Sequence, residues 1–190
     1  LKDESPRFGL GSFKALGGAY AVFKVLSHLI KEQIGIEKIN SADLRNGTYA
    51  ALCKNITVVT ATDGNHGKSV AWGAREFGCQ CKIYIHREVS KGREQAIAKF
   101  GCEMVRISGN YDDSVRQADM DSHENNWHVV SDTSYPGYMD VPKYVMQGYT
   151  ILASEISEQI DGVIPTHVFL PGGVGGIAAA VSAELWRIWG

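Results

Sequence analysis

Ile56-Thr57-Val58-Val59-Thr60-Ala61-Thr62-Asp63-Gly64-Asn65-His66-Gly67 decides how the chain folds. Residues 56–61 carry β-branched side chains and no charge, so they read as a strand covered on both faces. Asp63 to Gly67 is a tight, glycine-rich turn. A helix follows to Phe77, with Gly78 as its left-handed stop. The pattern then repeats. Strands are expected at 82–85, 104–107 and 127–130, with helices from Ser90 to Phe100 and from Tyr111 to about Glu124. Phe77-Gly78-Cys79 and Phe100-Gly101-Cys102 mark the same helix-to-strand corner, 23 residues apart. Short corners between alternating strands and helices imply right-handed crossovers and a parallel sheet. Residues 56–140 are therefore expected to form a small four-stranded α/β domain. Residues 1–55 and 141–190 are expected to belong to a larger domain.

Upstream lies Gly11-Ser12-Phe13-Lys14-Ala15-Leu16-Gly17-Gly18-Ala19-Tyr20. The Ser12 hydroxyl suits a helix start. Leu16, Ala19, Tyr20, Phe23, Leu26 and Ile30 then recur at helical spacing. Lys14 falls in the first turn of this helix, and Gly17 and Gly18 one turn later. Each glycine costs roughly 0.5–1 kcal/mol in a helix, which suggests a bulky approach to the backbone. Helix packing would also explain the pair. A lysine beside such a surface can form a Schiff base with an aldehyde cofactor. Downstream, Asn46-Gly47 signals a turn, and residues 48–54 suggest a short helix. A helix is expected from Pro142 to Gln159, a strand at 166–170, and a last helix from Ile177 to Trp189. Leu1 is not an initiator methionine, so the chain reads as a fragment of a longer one.

The totals limit the function classes. The 190 residues are 44% hydrophobic and 21% charged, with a net charge of −2, which disfavours nucleic acid as a partner. No apolar run approaches the ~20 residues needed to span a bilayer. Cys53, Cys79, Cys81 and Cys102 include no C-x-x-C pair, so reduced thiols and no metal are expected.

Three stretches suggest chemistry. Gly172-Gly173-Val174-Gly175-Gly176 lies between an expected strand and a helix start. Bare N–H groups and the helix dipole make this an anion site. Four glycines in five positions exceed what a turn needs. Gly173-x-Gly175-x-x-Ala178 also fits a dinucleotide fingerprint, whose acidic partner about 20 residues on would lie past Gly190. In the second stretch, Asp63 and Asn65 sit at the carboxyl end of a strand, where open α/β sheets bind ligands. Asp63 is either a cleft carboxylate or a helix cap, and His66 reads as a solvated loop histidine. The third, Asp132, follows the last strand of the α/β domain and either faces the same cleft or caps a turn. Two carboxylates in one cleft can divide acid and base roles.

In order, these stretches resemble the pyridoxal-phosphate enzymes of the tryptophan synthase β-subunit fold, fold type II, whose parallel sheets form two three-layer lobes. The resemblance implies pyridoxal 5'-phosphate, with Lys14 as its Schiff-base lysine and Asn65 on the pyridoxal 3-oxygen. It puts Gly172, Gly173, Val174, Gly175 and Gly176 around the phosphate. The serine or threonine that meets the pyridine nitrogen in this family finds no match here. Phe13-Lys14-Ala15-Leu16-Gly17-Gly18, the Asp63 turn, Asp132-Thr133 and Gln147-Gly148-Tyr149 resemble, more narrowly, the members that convert 2,3-diaminopropionate to pyruvate and two ammonia. That resemblance implies Asp63 as base for the D-isomer, Lys14 for the L-isomer and Asp132 in support. It also implies a small amino-acid substrate, a cytoplasmic location and a homodimer when full length. Chemistry points the same way. A β-amine leaves as ammonia only when protonated, and a nearby carboxylate favours its ammonium form. A serine or threonine dehydratase, or a β-replacement synthase, is the neighbouring alternative. A nucleotide-binding module without chemistry is the alternative from another class.

Overall fold

A computed structural model describes all 190 residues. Helix α1 spans Lys14–Ile34 and stops at Gly35, whose φ of 70° suits glycine. The Ser12 hydroxyl accepts the Lys14 N–H at 3.2 Å, although the cap position itself is Phe13. Helix α2, Ser41–Arg45, is closed by a reciprocal Asn40–Asp43 capping box that the sequence reading passes over. Helix α3 is Ala50–Cys53.

The alternating unit follows: β1 Thr57–Ala61, α4 Asn65–Phe77, β2 Gln80–Ile85, α5 Lys91–Ala98, β3 Glu103–Arg106, α6 Tyr111–Asn125 and β4 His128–Val129. The strands form one sheet in the order β3-β2-β1-β4, parallel throughout. Val58 pairs with Cys81 on one side of β1 and with His128 on the other. Alternate residues serve opposite faces. Val58, Ile83 and Ile85 join the main core with Val70, Ala74 and Phe77 of α4. Val59 and Tyr84 pack against Ala118 of α6. Gly78 and Gly101 take positive φ at the two matching corners.

Helix α7, Asp140–Gln159, begins two residues before Pro142. Pro142 still lies in the first turn, where a missing N–H costs nothing. Helix α8 is Gly176–Trp189. The strand expected at 166–170 does not form. These residues pair with no strand, and Phe169 is 92% exposed. Apolar content alone makes no strand without a ladder partner.

Helix α1 packs against α4 and α7. A methyl group on Gly17 would lie 2.5 Å from the Tyr149 ring and 2.7 Å from Val145, and one on Gly18 would meet Ser69. The glycine pair therefore serves helix packing and does not open the backbone to a ligand. Gly148 reciprocates, since a Cβ there would lie 2.5 Å from the Leu16 carbonyl oxygen. Ser69 Oγ donates to Ala15 O at 3.0 Å and accepts Ala19 N–H at 2.9 Å, so the buried crossing leaves its hydroxyl satisfied.

Candidate active site

The adjacent strands β1 and β4 end on the same sheet edge. Their following loops carry Asp63 and Asp132 into one open cleft of about 610 Å³, with Lys14, Asn65, His66 and Tyr111 in its wall. A second space of about 220 Å³ adjoins it, sharing Lys14, Asp132 and Val174 and ringed by residues 171–177. All nine residues singled out in the sequence thus meet at these two spaces.

Lys14 opens α1, and its ammonium is paired with Asp132 Oδ2. Asp132 is only 12% exposed. Burial pushes its carboxyl up, but the opposing interactions around it, the hydrogen bond and charge of Lys14 among them, hold it below the usual carboxylate range. The segment before it is held from two sides. Tyr138 Oη donates to Val129 O at 2.9 Å and accepts Ser131 N–H at 3.0 Å. His66 Nε2 lies 2.8 Å from Val130 O. Local turn capping falls to Ser131, whose hydroxyl accepts Thr133 N–H, so Asp132 is free for the cleft.

His66 is not the solvated residue expected from the turn. It lies in the first turn of α4 and is 6% exposed. The Val130 carbonyl can only accept, so Nε2 carries the proton and Nδ1 keeps a lone pair. Nδ1 has no hydrogen-bond partner and stands 3.9 Å from Asp132 Oδ2. Burial lowers the tendency of His66 to protonate. The spacing of His66, Ser69, Val70, Gly73, Ala74 and Phe77 marks the buried face of α4, and this was the available signal.

Asp63 stands on the cleft lip, 57% exposed. It does not cap α4. Thr62 Oγ1 does that work, accepting Gly64 N–H at 3.0 Å and Gly67 N–H at 3.1 Å. Asp63 Oδ1 instead lies 2.9 Å from Nε2 of His86, just beyond β2. Asn65 is exposed on the cleft wall. Burial, then the charges of Asp132 and Asp63, push the Tyr111 phenol up.

The glycine loop curls round the smaller space. A Cβ on Gly172 or Gly173 would meet nothing within 4 Å, and Gly175 takes φ 90° at the start of α8. No side chain caps that helix, which leaves its first N–H groups for an anion. Tyr149 Oη, in the same wall, is buried without a partner. An open cradle, an orphaned hydroxyl and a lysine beside both fit a cofactor bearing an aldehyde and a phosphate. The family model described as "Pyridoxal-phosphate dependent enzyme" matches residues 1–190.

The chain belongs to the pyridoxal-phosphate-dependent enzymes. Its cofactor is accordingly pyridoxal 5'-phosphate, and its parallel α/β architecture is that of fold type II. Diaminopropionate ammonia-lyase of Escherichia coli strain K12 is 43% identical over 191 residues, covering 100% of this chain and 46% of that one. A crystal structure of the E. coli enzyme in complex with D-serine superposes with a TM-score of 0.88 at 42% identity, over 99% of this chain and 47% of that chain. A probable D-serine dehydratase of Rhizobium etli is 25% identical over 199 residues, covering 100% of this chain and 43% of that one. The chain spans about half the length of the curated relatives it matches.

Sequence reading also missed His86 and Tyr111. His86 follows a strand at its carboxyl end, the same positional signal that singled out Asp63.

Proposed function

We propose that this pyridoxal-phosphate-dependent chain is the lysine- and phosphate-binding part of a lyase that removes ammonia from 2,3-diaminopropionate, giving pyruvate and two ammonia. The observation that carries the reading is the convergence of Lys14, Asp132 and Asp63 on one cleft beside the glycine loop. Pyridoxal phosphate, when bound, supplies an aldehyde for the substrate amine and a ring that takes up the electron pair left when the Cα proton departs.

The chain's own residues divide the remaining work. The glycine loop and the start of α8 would hold the phosphate, and Asn65 would bond the pyridoxal oxygen. Lys14 would anchor the cofactor, and its free amine would take the Cα proton of the L-isomer. Asp63 removes it from the D-isomer. Asp132 stays ionised, holds Lys14 as the ammonium once the amine has taken up the proton, and favours the charged form of the departing β-amine. A hydroxyl leaving group would need no such charge partner, which favours a diamino acid over serine. His66, held neutral, keeps a proton acceptor beside the pair.

Residues 56–140 act as the small domain, and 1–55 with 141–190 as part of the cofactor domain. The full-length enzyme is a cytoplasmic homodimer. No helix is long and apolar enough to cross a membrane.

The test is Asp63→Asn in the full-length holoenzyme, with pyruvate and ammonia measured from both diaminopropionate isomers and from serine. Loss of a general base costs roughly 10²–10⁴-fold. The expected result is a loss of that size on the D-isomer, a smaller loss on the L-isomer, and a persistent cofactor band. Equal losses would make Asp63 a binding residue, and faster turnover of serine than of diaminopropionate would make the enzyme a dehydratase.

A further inference from the structure

We propose that His86 is a positioning residue for Asp63 and thereby sets how strongly the site favours one stereoisomer of its amino-acid substrate. The inference rests on the reading of Asp63 as a base.

The backbone that carries His86 is held firmly. Ile107 N–H bonds the Ile85 carbonyl at 3.0 Å, and Arg87 N–H bonds Gly109 O at 3.3 Å. Arg106 Nη1 donates to His86 O at 3.2 Å and to Arg87 O at 2.9 Å. Arg106 is itself tied to Glu94 at 2.7 Å. The imidazole has a defined orientation and tautomer. Its Nδ1 accepts Glu88 N–H at 3.3 Å, so its proton is on Nε2, which faces Asp63 Oδ1 at 2.9 Å. His86 is 16% exposed at its side chain, so its ring is fixed by packing as well.

Asp63 has no comparable support. It is mostly exposed, and its side chain makes no other polar contact. Without His86 its carboxylate samples the three staggered χ1 wells, only one of which is the observed arrangement. The bond to Oδ1 leaves Oδ2 free to take a proton. A rigid donor at the end of β2 thus turns a mobile surface carboxylate into an oriented one.

Rotamer counting sets the expected effect. Losing the anchor dilutes the observed orientation about threefold. Lys14 does not touch His86, so the ratio of kcat/KM for the D-isomer to that for the L-isomer reads the loss. Cofactor loading and folding defects act on both isomers and cancel in this ratio.

The experiment compares His86→Leu, His86→Gln and Asp63→Asn in the full-length holoenzyme. His86→Leu should lower the D-to-L ratio by about threefold. His86→Gln, which keeps a nitrogen donor near the Nε2 position, should restore most of it. A second readout needs no turnover. In the cofactor-free protein, long-range proton–nitrogen NMR should show His86 protonated at Nε2, and Asp63→Ala should shift that nitrogen. An unchanged ratio in His86→Leu, with Asp63→Asn still lowering it, would overturn the inference alone. An unchanged ratio in Asp63→Asn would overturn the base reading and this inference together. A His86 nitrogen insensitive to Asp63→Ala would also refute the contact.

Discussion

Replacing Gly17 by alanine tests whether the start of the lysine helix is clamped by its neighbour. In an open helix the change would stabilise by up to about 1 kcal/mol, because alanine is the better helix former. At Gly17 the added methyl would meet Tyr149 Cε1 at 2.5 Å and Val145 Cγ1 at 2.7 Å. Both belong to side chains that are almost fully buried, 2% and 1% exposed, so neither can swing away. Overpacking of this kind costs about 1–3 kcal/mol. Contacts this short put the cost near the upper end, about 2–3 kcal/mol, so subtracting the helix gain of about 1 kcal/mol leaves a net loss of about 1–2 kcal/mol. For a chain of this size that lowers the melting temperature by about 2–8 °C. Gly92 is the internal control. It lies in α5 and a Cβ there meets nothing within 4 Å, so Gly92→Ala should gain a few tenths to about 1 kcal/mol. Gly148→Ala should cost more than Gly17→Ala, because its methyl would strike the Leu16 backbone, which cannot repack. Thermal and urea unfolding of the three variants, without cofactor, measures all of this. A Gly17→Ala protein as stable as Gly92→Ala would refute the clamp.

Three further outcomes are expected. Gly173→Leu should weaken pyridoxal phosphate binding by at least about tenfold while leaving stability without cofactor within about 0.5 kcal/mol, since its Cβ faces open space. Titration of the cofactor band and a melting curve check both halves. Glu155 is held down at about 2, first by its hydrogen bond to Arg7 and then by Lys2. Its stabilisation is therefore full above the ordinary value of 4.5 and fades as pH falls toward 2. Glu155→Gln should cost about 1 kcal/mol at pH 7 and much less at pH 3, after allowing for solvent screening, as urea midpoints at the two values would show. For His66, burial favours the neutral form, so acid titrates the unfolded chain first and the fold loses stability as pH drops below the ordinary 6.5. His66→Gln, which keeps a donor for Val130 O, should flatten that decline between pH 7 and 5.5. Parallel declines in both proteins would remove His66 as the titrating group.

The alternating half of the chain was legible because its signals are local. Unbroken apolar strands, glycine corners and the 23-residue echo of Phe-Gly-Cys follow from chain geometry alone, and β1 to β4 lie within a residue or two of their expected places. The end of β1 also marked Asp63 and Asn65, since sheet topology dictates where ligands bind. Contacts made across the sequence were not legible. Nothing near Gly17 reveals that Tyr149 will press on it, and nothing near His66 reveals that Val130 will offer a carbonyl. The helix cap, one of the two readings open for Asp63, falls to Thr62 because a buried hydroxyl at that point reaches two backbone N–H groups at once. The strand expected at 166–170 failed for the converse reason, since its apolar residues describe a surface that needs a neighbour and name none.

The sandwiching of α1 between α4 and α7 has a consequence for synthesis. Ile34 ends α1, whereas α7 begins only at Asp140. At the usual 5–20 residues per second, the ribosome takes about 5–20 s to make the intervening chain. During that interval α4 can cover one side of the helix, while the side bearing Leu16 and Gly17 has no partner. The nascent chain therefore carries an unshielded apolar groove beside its lysine for far longer than the microseconds in which a helix forms. That exposure makes the growing polypeptide a client for chaperones that shield apolar surface until α7 arrives.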